Sequence, residues 1–437
     1  MEKQRYFIHT FGCQMNEHDS QRIAGILEAD GYSETSNSSD ADVVLLNTCC
    51  VRAKAEQKVL SEIGKLSLLK ARRNFILAVC GCMAQKEKRK IIKRFPEVDI
   101  VLGTNDVIHL KKAIDKAKKG EKTIFASSDF KSFNSAIPFL KKGNIKEFVT
   151  IMEGCNNFCS YCIVPFVRGR ERSRPLEEII CEVEHLAKGG CKEVTLLGQN
   201  VNSYNSPSSD ACDFSTLLEK INEIEGIERI RFVTSHPKDF DRKLINAIKR
   251  LDKVCRNIHL PLQSGSDKIL KLMNRNYTVE EYMEKIELLK SEIPEVGISS
   301  DIIVGFPGED EEDFNYTLNA IEKIRFDTLF SFCYSHRPPA KSSTLDETLT
   351  IEEKLERLNL LQSIQRKISM EKNIAEEGKI KAVLVEGVSK RSSKDLTGRT
   401  EQNRVVNFKG DESLIGKIVQ VKITKAYSNS LRGRIDR

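Results

Sequence analysis

The chain has 437 residues, 40% of them hydrophobic and 30% charged. That balance fits about three globular domains and excludes a collagenous or wholly disordered chain. The longest apolar run, Phe75–Ala84 counting glycine, spans ten residues, short of the ~18 needed to cross a bilayer. With no secretory signal at its start, the chain is expected in the cytoplasm, away from membranes. Net charge is +7, and residues 373–437 hold 14 Lys and Arg against 8 Asp and Glu. A basic tail piece after a nearly neutral body is the footprint of a polyanionic partner.

In chain order, residues 1–120 alternate apolar β-type runs (Tyr6–Thr10, Val43–Leu46, Phe75–Val79, Ile100–Leu102) with helical periodicity, as at Ile23, Ile26 and Leu27. The alternation predicts a parallel sheet covered by helices. Residues 121–146 lose the periodicity and read as a linker. From 147 to 372 further strand runs follow: Phe148–Met152, Glu193–Leu197, Arg229–Thr234, Asn257–Leu262, Gly297–Gly305 and Thr328–Tyr334. Helical stretches such as Leu176–Leu186, Tyr282–Leu289 and Glu312–Ile324 separate them, which predicts a partial or complete TIM-like β/α barrel. A helix carrying Leu355, Leu358, Leu361, Ile364 and Ile368 on one face leads into 373–437. There the short runs Lys381–Val385, Arg404–Phe408 and Lys417–Thr424 predict a small antiparallel β-barrel. The expected fold class is α/β, with that barrel appended.

Thirteen cysteines in a reducing compartment point to metal or redox chemistry rather than structural disulfides. Cys13, Cys49 and Cys82 each follow a predicted strand. The carboxyl ends of parallel strands emerge on one edge, where ligands bind, so these thiols are expected to meet and ligate. The sharpest motif is Cys155-Asn-Asn-Phe-Cys159-Ser-Tyr-Cys162, three thiols within eight residues. Soft thiolate sets select thiophilic centres. Zinc sites usually add a second ligand pair, absent here, whereas three cysteines suit a [4Fe–4S] cluster with one open iron.

The Cys155/Cys159/Cys162 spacing, with Tyr161 before the last cysteine, resembles the signature of the radical S-adenosylmethionine superfamily. The segment Ile163-Val-Pro-Phe-Val-Arg168-Gly-Arg170-Glu-Arg172-Ser-Arg174-Pro175 is similar to its methylthiotransferase branch. So are Thr10-Phe-Gly-Cys13-Gln-Met-Asn16, Asn47-Thr-Cys49 and Gly81-Cys82-Met-Ala-Gln85, and the basic tail resembles that branch's RNA-binding TRAM domain. Within the branch, Leu196-Leu-Gly198-Gln199-Asn200-Val-Asn202-Ser-Tyr204 resembles enzymes that methylthiolate N6-isopentenyladenosine next to the tRNA anticodon, at position 37. His259-Leu-Pro-Leu-Gln263-Ser-Gly-Ser266 and Ser300-Asp301-Ile-Ile-Val-Gly305-Phe-Pro-Gly308-Glu309 agree with that type. Tyr334-Ser-His-Arg337-Pro-Pro-Ala340 departs from it, since the family usually has a Pro-Gly-Thr-like turn after the arginine.

The resemblance implies two [4Fe–4S] clusters and S-adenosylmethionine. The Cys155/Cys159/Cys162 cluster would bind and cleave S-adenosylmethionine reductively, giving a radical able to take hydrogen from adenine C2. An auxiliary cluster on Cys13, Cys49 and Cys82 would hold the sulfur to be inserted. Gly198, Gln199, Asn200, Gln263, Asp301 and Gly305 are the candidate cofactor-pocket residues. Arg168, Arg170, Arg172 and Arg174 are candidate contacts to RNA or phosphate, because arginine forks suit phosphate oxygens. A monomer served by a low-potential donor such as flavodoxin or ferredoxin is expected, with tRNA as partner. The competing readings are a sister enzyme acting on threonylcarbamoyladenosine or a ribosomal-protein aspartate, a non-catalytic iron–sulfur RNA-binding protein, and a zinc-dependent RNA-binding module. No role falls to Cys50, Cys80, Cys181, Cys191, Cys212, Cys255 or Cys333, although strand alternation places Cys80 on the same face as Cys82.

Overall fold

A computed structural model describes residues 3–50, 53–130, 143–208, 212–390 and 392–436. The first unit runs β1 (Arg5–Thr10), α1 (Gln14–Ala29), β2 (Ser33–Glu34), β3 (Val43–Thr48), α2 (Ala53–Lys70), β4 (Ile76–Gly81), α3 (Cys82–Glu87), α4 (Arg89–Arg94), β5 (Ile100–Leu102), α5 (Leu110–Lys118) and β6 (Thr123–Phe125). Its strands pair in parallel in the order β2-β1-β3-β4-β5-β6. The central strand β3 is buried along its whole length, as a parallel strand covered on both faces must be. Val43 and Leu45 enter one core with Ile23 and Leu27 of α1 and Ala113 of α5. Val44 and Leu46 enter the other with Val59 and Ile63 of α2.

Two expectations change here. Residues 121–146 do not begin as a linker, because Thr123–Phe125 adds an edge strand to β5; residues 131–142 lie outside the described residues. Cys80 and Cys82 do not share a face. Gly81 takes φ +92°, a conformation glycine adopts without steric cost, and turns the chain into α3. Cys80 then lies in the core with α1 and α5, and Cys82 in the opposite core.

The second unit contains β7 (Lys146–Thr150), β8 (Met152–Glu153), α6 (Val164–Val167), β9 (Arg172–Ser173), α7 (Leu176–Lys188), β10 (Glu193–Leu197), α8 (Phe214–Asn222), β11 (Arg229–Phe232), α9 (Arg242–Arg250), β12 (Asn257–His259), α10 (Asp267–Leu272), α11 (Val279–Glu292), β13 (Gly297–Val304), α12 (Glu311–Ile324), β14 (Thr328–Cys333) and α13 (Ile351–Ile374). The parallel triplets β7-β10-β11 and β12-β13-β14 share one core and are joined by a parallel bridge between Ile230 and Val254. The six strands form an arc, a partial β/α barrel. On α13, Leu361 and Ile368 are buried, whereas Leu355 is 47% exposed.

The third unit is a closed barrel, β15 (Ile380–Ser389), β16 (Ser392–Arg399), β17 (Val405–Lys409), β18 (Ile418–Tyr427) and β19 (Ser430–Ile435), in the order β15-β16-β17-β19-β18. It is not wholly antiparallel, since β17 and β19 run parallel, Val406 opposite Leu431. Val383, Leu396, Phe408 and Val421 fill its interior.

This barrel docks at the end of the arc where the parallel strands begin. Arg229, first in β11, donates to the carbonyls of Arg399 (2.6 Å) and Ala382 (2.9 Å). Arg231 is bonded to Glu193 at 2.9 Å and donates to the Glu401 and Thr400 carbonyls, both at 2.8 Å. Lys146, first in β7, pairs with Glu386 at 2.9 Å. Arg404 reaches Asp327, just before β14. The carboxyl ends of the strands are therefore left to the cysteines. Among the described residues no helix is long and apolar enough to cross a membrane.

Candidate functional site

Cys13 and Cys49 are brought side by side because a polar framework fixes the ends of β1 and β3. Asn16 Nδ2 donates to Asn47 Oδ1 (3.0 Å) and the Thr48 carbonyl (3.2 Å), and Asn47 Nδ2 returns a bond to the Asn16 carbonyl (2.8 Å). Gly12 lies so close to Cys49 that a Cβ there would stand 2.2 Å from the Cys49 Cβ. Cys13 is the N-cap of α1, and its thiol lies 3.3 Å from Asn16 Oδ1. A hydrogen bond from Cys49 draws the Cys13 pKa down to about 6, and the Arg168 charge adds to this. The helix amino end favours the thiolate further.

Cys82 opens α3 and is lowered by a hydrogen bond from Cys50, again with help from Arg168. Cys50 itself is pushed well above its usual range by that bond and by burial. The arrangement is thus a four-thiol nest, Cys13 with Cys49 and Cys82 with Cys50. Cys50 is an addition that strand-end spacing alone does not single out. Among the described residues no three Cys, His, Asp or Glu side chains close around a point as ligands of a single ion. The donor set, soft thiols poised to ionise beside a cation, fits an iron–sulfur cluster.

The second thiol set sits on the loop after β8. Asn274, at φ +58° just beyond α10, clamps this loop through Nδ2 to the carbonyls of Asn157 (3.1 Å) and Phe158 (3.0 Å). The Ser160 amide bonds to the Met273 carbonyl at 2.9 Å, and Ser160 Oγ to that of Leu272 at 2.8 Å. Burial pushes the Cys155 thiol up to about 11 and Cys162 to about 12. A bound cationic metal centre is what would hold such thiols ionised, and their grouping fits one. Arg275, 7% exposed, brings Nη1 to 3.8 Å from Cys159 Sγ and spends its other nitrogens on Tyr277 (2.7 Å) and the Pro261 carbonyl (2.5 Å). Neither Asn274 nor Arg275 stands in a motif visible in the sequence.

The pocket candidates fall into two groups. Gln199 Oε1 accepts from the Gly154 amide at 2.5 Å, which ties the end of β10 to the cysteine loop. A Cβ on Gly198 would stand 2.5 Å from Met152 Cγ. Asn200 is fully buried, donates to Asp239 at 2.7 Å and leaves Oδ1 without a hydrogen bond. The other group lies on β12 and β13. Gln263, at φ +77°, exchanges backbone bonds with Asp301 (2.8 Å) and Ile303 (3.0 Å). Asp301 is 3.3 Å from His259 Nε2, and the Gly305 amide donates to Glu309 at 2.8 Å. Between the groups sits His236, which the sequence reading passes over. Burial lowers its pKa to about 2, and its Nε2 has no hydrogen-bond partner.

The arginine run corrects an expectation. Arg168 bonds Asp19 at 2.6 Å, Arg172 bonds Glu153 at 3.0 Å, and Arg174 bonds Glu182 at 2.5 Å and the Thr150 carbonyl at 2.9 Å. These three face internal carboxylates and are not presented to a nucleic acid in this arrangement. Arg170 alone of the four is exposed, stacked 4.3 Å over the Phe158 ring. The departing turn also acquires a place, since Arg337 donates to the Cys50 carbonyl at 2.5 Å.

Three family models match the chain: the uncharacterized protein family UPF0004 over residues 5–103, the Radical SAM superfamily over 149–321 and the TRAM domain over 375–435. A Syntrophus aciditrophicus protein named tRNA-2-methylthio-N(6)-dimethylallyladenosine synthase is 49% identical over 440 residues, covering 100% of this chain and 95% of its own. Proteins of the same name from Thermoanaerobacter pseudethanolicus (49%, 98% and 92% covered) and Clostridium perfringens (46%, 100% and 98%) match likewise. Among solved structures, the radical S-adenosylmethionine methyltransferase TsrM from Kitasatospora setae, with cobalamin and a [4Fe-4S] cluster bound, shares the fold. Its TM-score is 0.58 at 14% identity, covering 78% of this chain and 77% of that one.

Proposed function

The chain belongs to the tRNA-2-methylthio-N6-dimethylallyladenosine synthase family, and on that premise we propose how its residues divide the work. It is a radical S-adenosylmethionine enzyme, a methylthiotransferase with [4Fe–4S] clusters as cofactors, that converts N6-isopentenyladenosine in tRNA to its 2-methylthio derivative. Position 37, beside the anticodon, is the site this reading takes. Cys155, Cys159 and Cys162 hold the cluster that works with S-adenosylmethionine, within residues 147–372. Cys13, Cys49 and Cys82 hold the auxiliary cluster, within residues 1–120. Residues 373–437 grip the tRNA. When bound, these groups supply a carbon-centred radical for the inert C2–H and the sulfur that replaces the hydrogen, chemistry that acid–base side chains cannot perform.

The protein's part is placement and exclusion of water. Gln199, through the Gly154 amide, holds the cysteine loop against the end of β10. Asn200 Oδ1 and His236 Nε2 are buried groups without partners, and a buried polar atom is costly unless a ligand satisfies it. They fit the polar parts of the cofactor or the nucleoside. His236 stays neutral there, so it offers a hydrogen bond and no charge. The observation that carries this reading is the presence of two thiol sets in one chain, both at the carboxyl ends of parallel strands. A low-potential one-electron donor of the flavodoxin or ferredoxin kind, a monomeric state and a cytoplasmic location complete the proposal.

Iron and sulfide per chain after anaerobic reconstitution test it, together with a nucleoside mass assay on isopentenylated tRNA. About eight irons are expected for the wild type and about four for the Cys155/Cys159/Cys162 triple alanine variant. Cys13→Ala, Cys49→Ala and Cys82→Ala should abolish methylthiolation and spare cleavage of S-adenosylmethionine. Four irons in the wild type and none in the triple variant would leave the N-terminal thiols without a cluster and overturn the assignment. Methylthiolation of threonylcarbamoyladenosine instead would favour the sister activity.

A further inference from the structure

Arg168 is 4% exposed. A guanidinium so placed is costly unless its charge and donors are matched. Asp19 on α1 meets Nη2 at 2.6 Å, and the next carboxylate, Glu153, stays 3.8 Å from Nη1, beyond hydrogen-bond reach. Nη1 is buried and has no hydrogen-bond partner. The residue before it, Val167, packs in one core with Cys50 and Cys82, and the Arg168 charge favours the thiolates of Cys13 and Cys82. The backbone on either side of it is fixed: the Val167 carbonyl accepts from Thr104 Oγ1 at 2.6 Å, and the Gly169 carbonyl from the Cys155 amide at 3.2 Å. Arg275, beside the other thiol set, differs in that its nitrogens all have partners. An orphan donor held rigidly beside soft thiols matches an acceptor that the thiols themselves would bring there.

We propose that Arg168 Nη1 donates a hydrogen bond to a sulfur of the iron–sulfur cluster on Cys13, Cys49 and Cys82, and thereby sets that cluster's reduction potential. The inference rests on the cluster assignment made above. Hydrogen bonds to cluster sulfurs and the local net charge are principal determinants of such potentials. A cation with a donor favours the more negative, reduced form, so Arg168 raises the potential and Asp19 moderates it. Arg168 is on this account a positioning residue.

The test uses the full chain with Cys155, Cys159 and Cys162 replaced by alanine, reconstituted anaerobically and titrated with the spectroscopic signal of the remaining cluster as readout. Arg168→Met should keep about four irons and shift the midpoint to more negative potential. Arg168→Lys should return it most of the way, and Asp19→Asn should move it the opposite way, to less negative potential. A merely structural role predicts loss of iron in both Arg168→Met and Asp19→Asn, with no opposed shift. Equal midpoints in parent, Arg168→Met and Asp19→Asn, or shifts of the same sign in the last two, overturn the proposal. Should Arg168→Met fail to assemble, Asp19→Asn decides alone: a positive shift supports the proposal and an unchanged or negative one overturns it. A parent with no iron overturns the cluster assignment instead, which the iron count reveals before any potential is measured.

Discussion

Between Cys13 and Cys49 there is room for a hydrogen atom on Gly12 and for nothing larger. The φ of +120° and the 2.2 Å approach of a would-be Cβ to Cys49 both oppose a side chain. Gly12→Ala should therefore push the thiols apart and lower reconstituted iron from about eight toward about four per chain, with cleavage of S-adenosylmethionine retained; iron analysis beside a cleavage assay checks this. His236 gives a second expectation. Its folded pKa, about 2, lies below the ordinary 6.5, so the unfolded chain binds the extra proton between those values and stability falls as pH drops below about 6.5. The loss approaches roughly 1.4 kcal/mol per pH unit. His236→Gln should flatten that slope in urea unfolding between pH 6.5 and 5, and an unchanged slope would show that other groups set it. The six cysteines proposed as cluster ligands stand out in the sequence because their spacing is local or tied to strand ends. Arg168 was not, since whether an arginine meets water or a carboxylate 149 residues away depends on packing that neither composition nor periodicity encodes.

Elements differ in legibility for the same kind of reason. The interior strands β3, β4, β10 and β13 announce themselves as apolar runs. The two-residue β2 and the three-residue edge strand β6 do not, because so short a segment shows no period of its own. Strand β16, Ser-Ser-Lys-Asp-Leu-Thr-Gly-Arg, is paired on both sides yet carries a single large apolar residue, Leu396, that faces the barrel interior. The C-terminal end of α10 and the residues just beyond it clamp the Cys155–Cys162 loop. Asn274→Ala removes two side-chain hydrogen bonds and places a poorly suited residue at positive φ. A cost of roughly 1–3 kcal/mol is expected, with faster loss of iron from the Cys155/Cys159/Cys162 site under chelator challenge. The Cys13/Cys49/Cys82 site should release its iron at the wild-type rate.

At the scale of the molecule, the order of the three units could be read from the sequence, but not how they join. The contacts between units combine arginines donating to backbone carbonyls, as at Arg229 and Arg231, with ion pairs between distant residues, as at Lys146–Glu386 and Arg168–Asp19, and neither kind has a sequence signature. Removing 373–437 would strip the acceptors from Arg229 and Arg231, so charge replacement is the cleaner probe of RNA binding. Lys409, Lys425 and Arg434 are exposed on the small barrel. Replacing all three with glutamine should weaken tRNA binding and reduce its salt slope by about one per lost phosphate contact. An unchanged slope would move the RNA anchor elsewhere.

The small barrel sits at the amino end of the β/α arc, and the thiols lie at the opposite mouth. On the proposed reading, in which residues 373–437 grip the tRNA, the strands of the arc stand as a spacer between grip and thiols. A substitution that altered how the barrel docks would then change the reach from grip to reaction site without touching a cysteine.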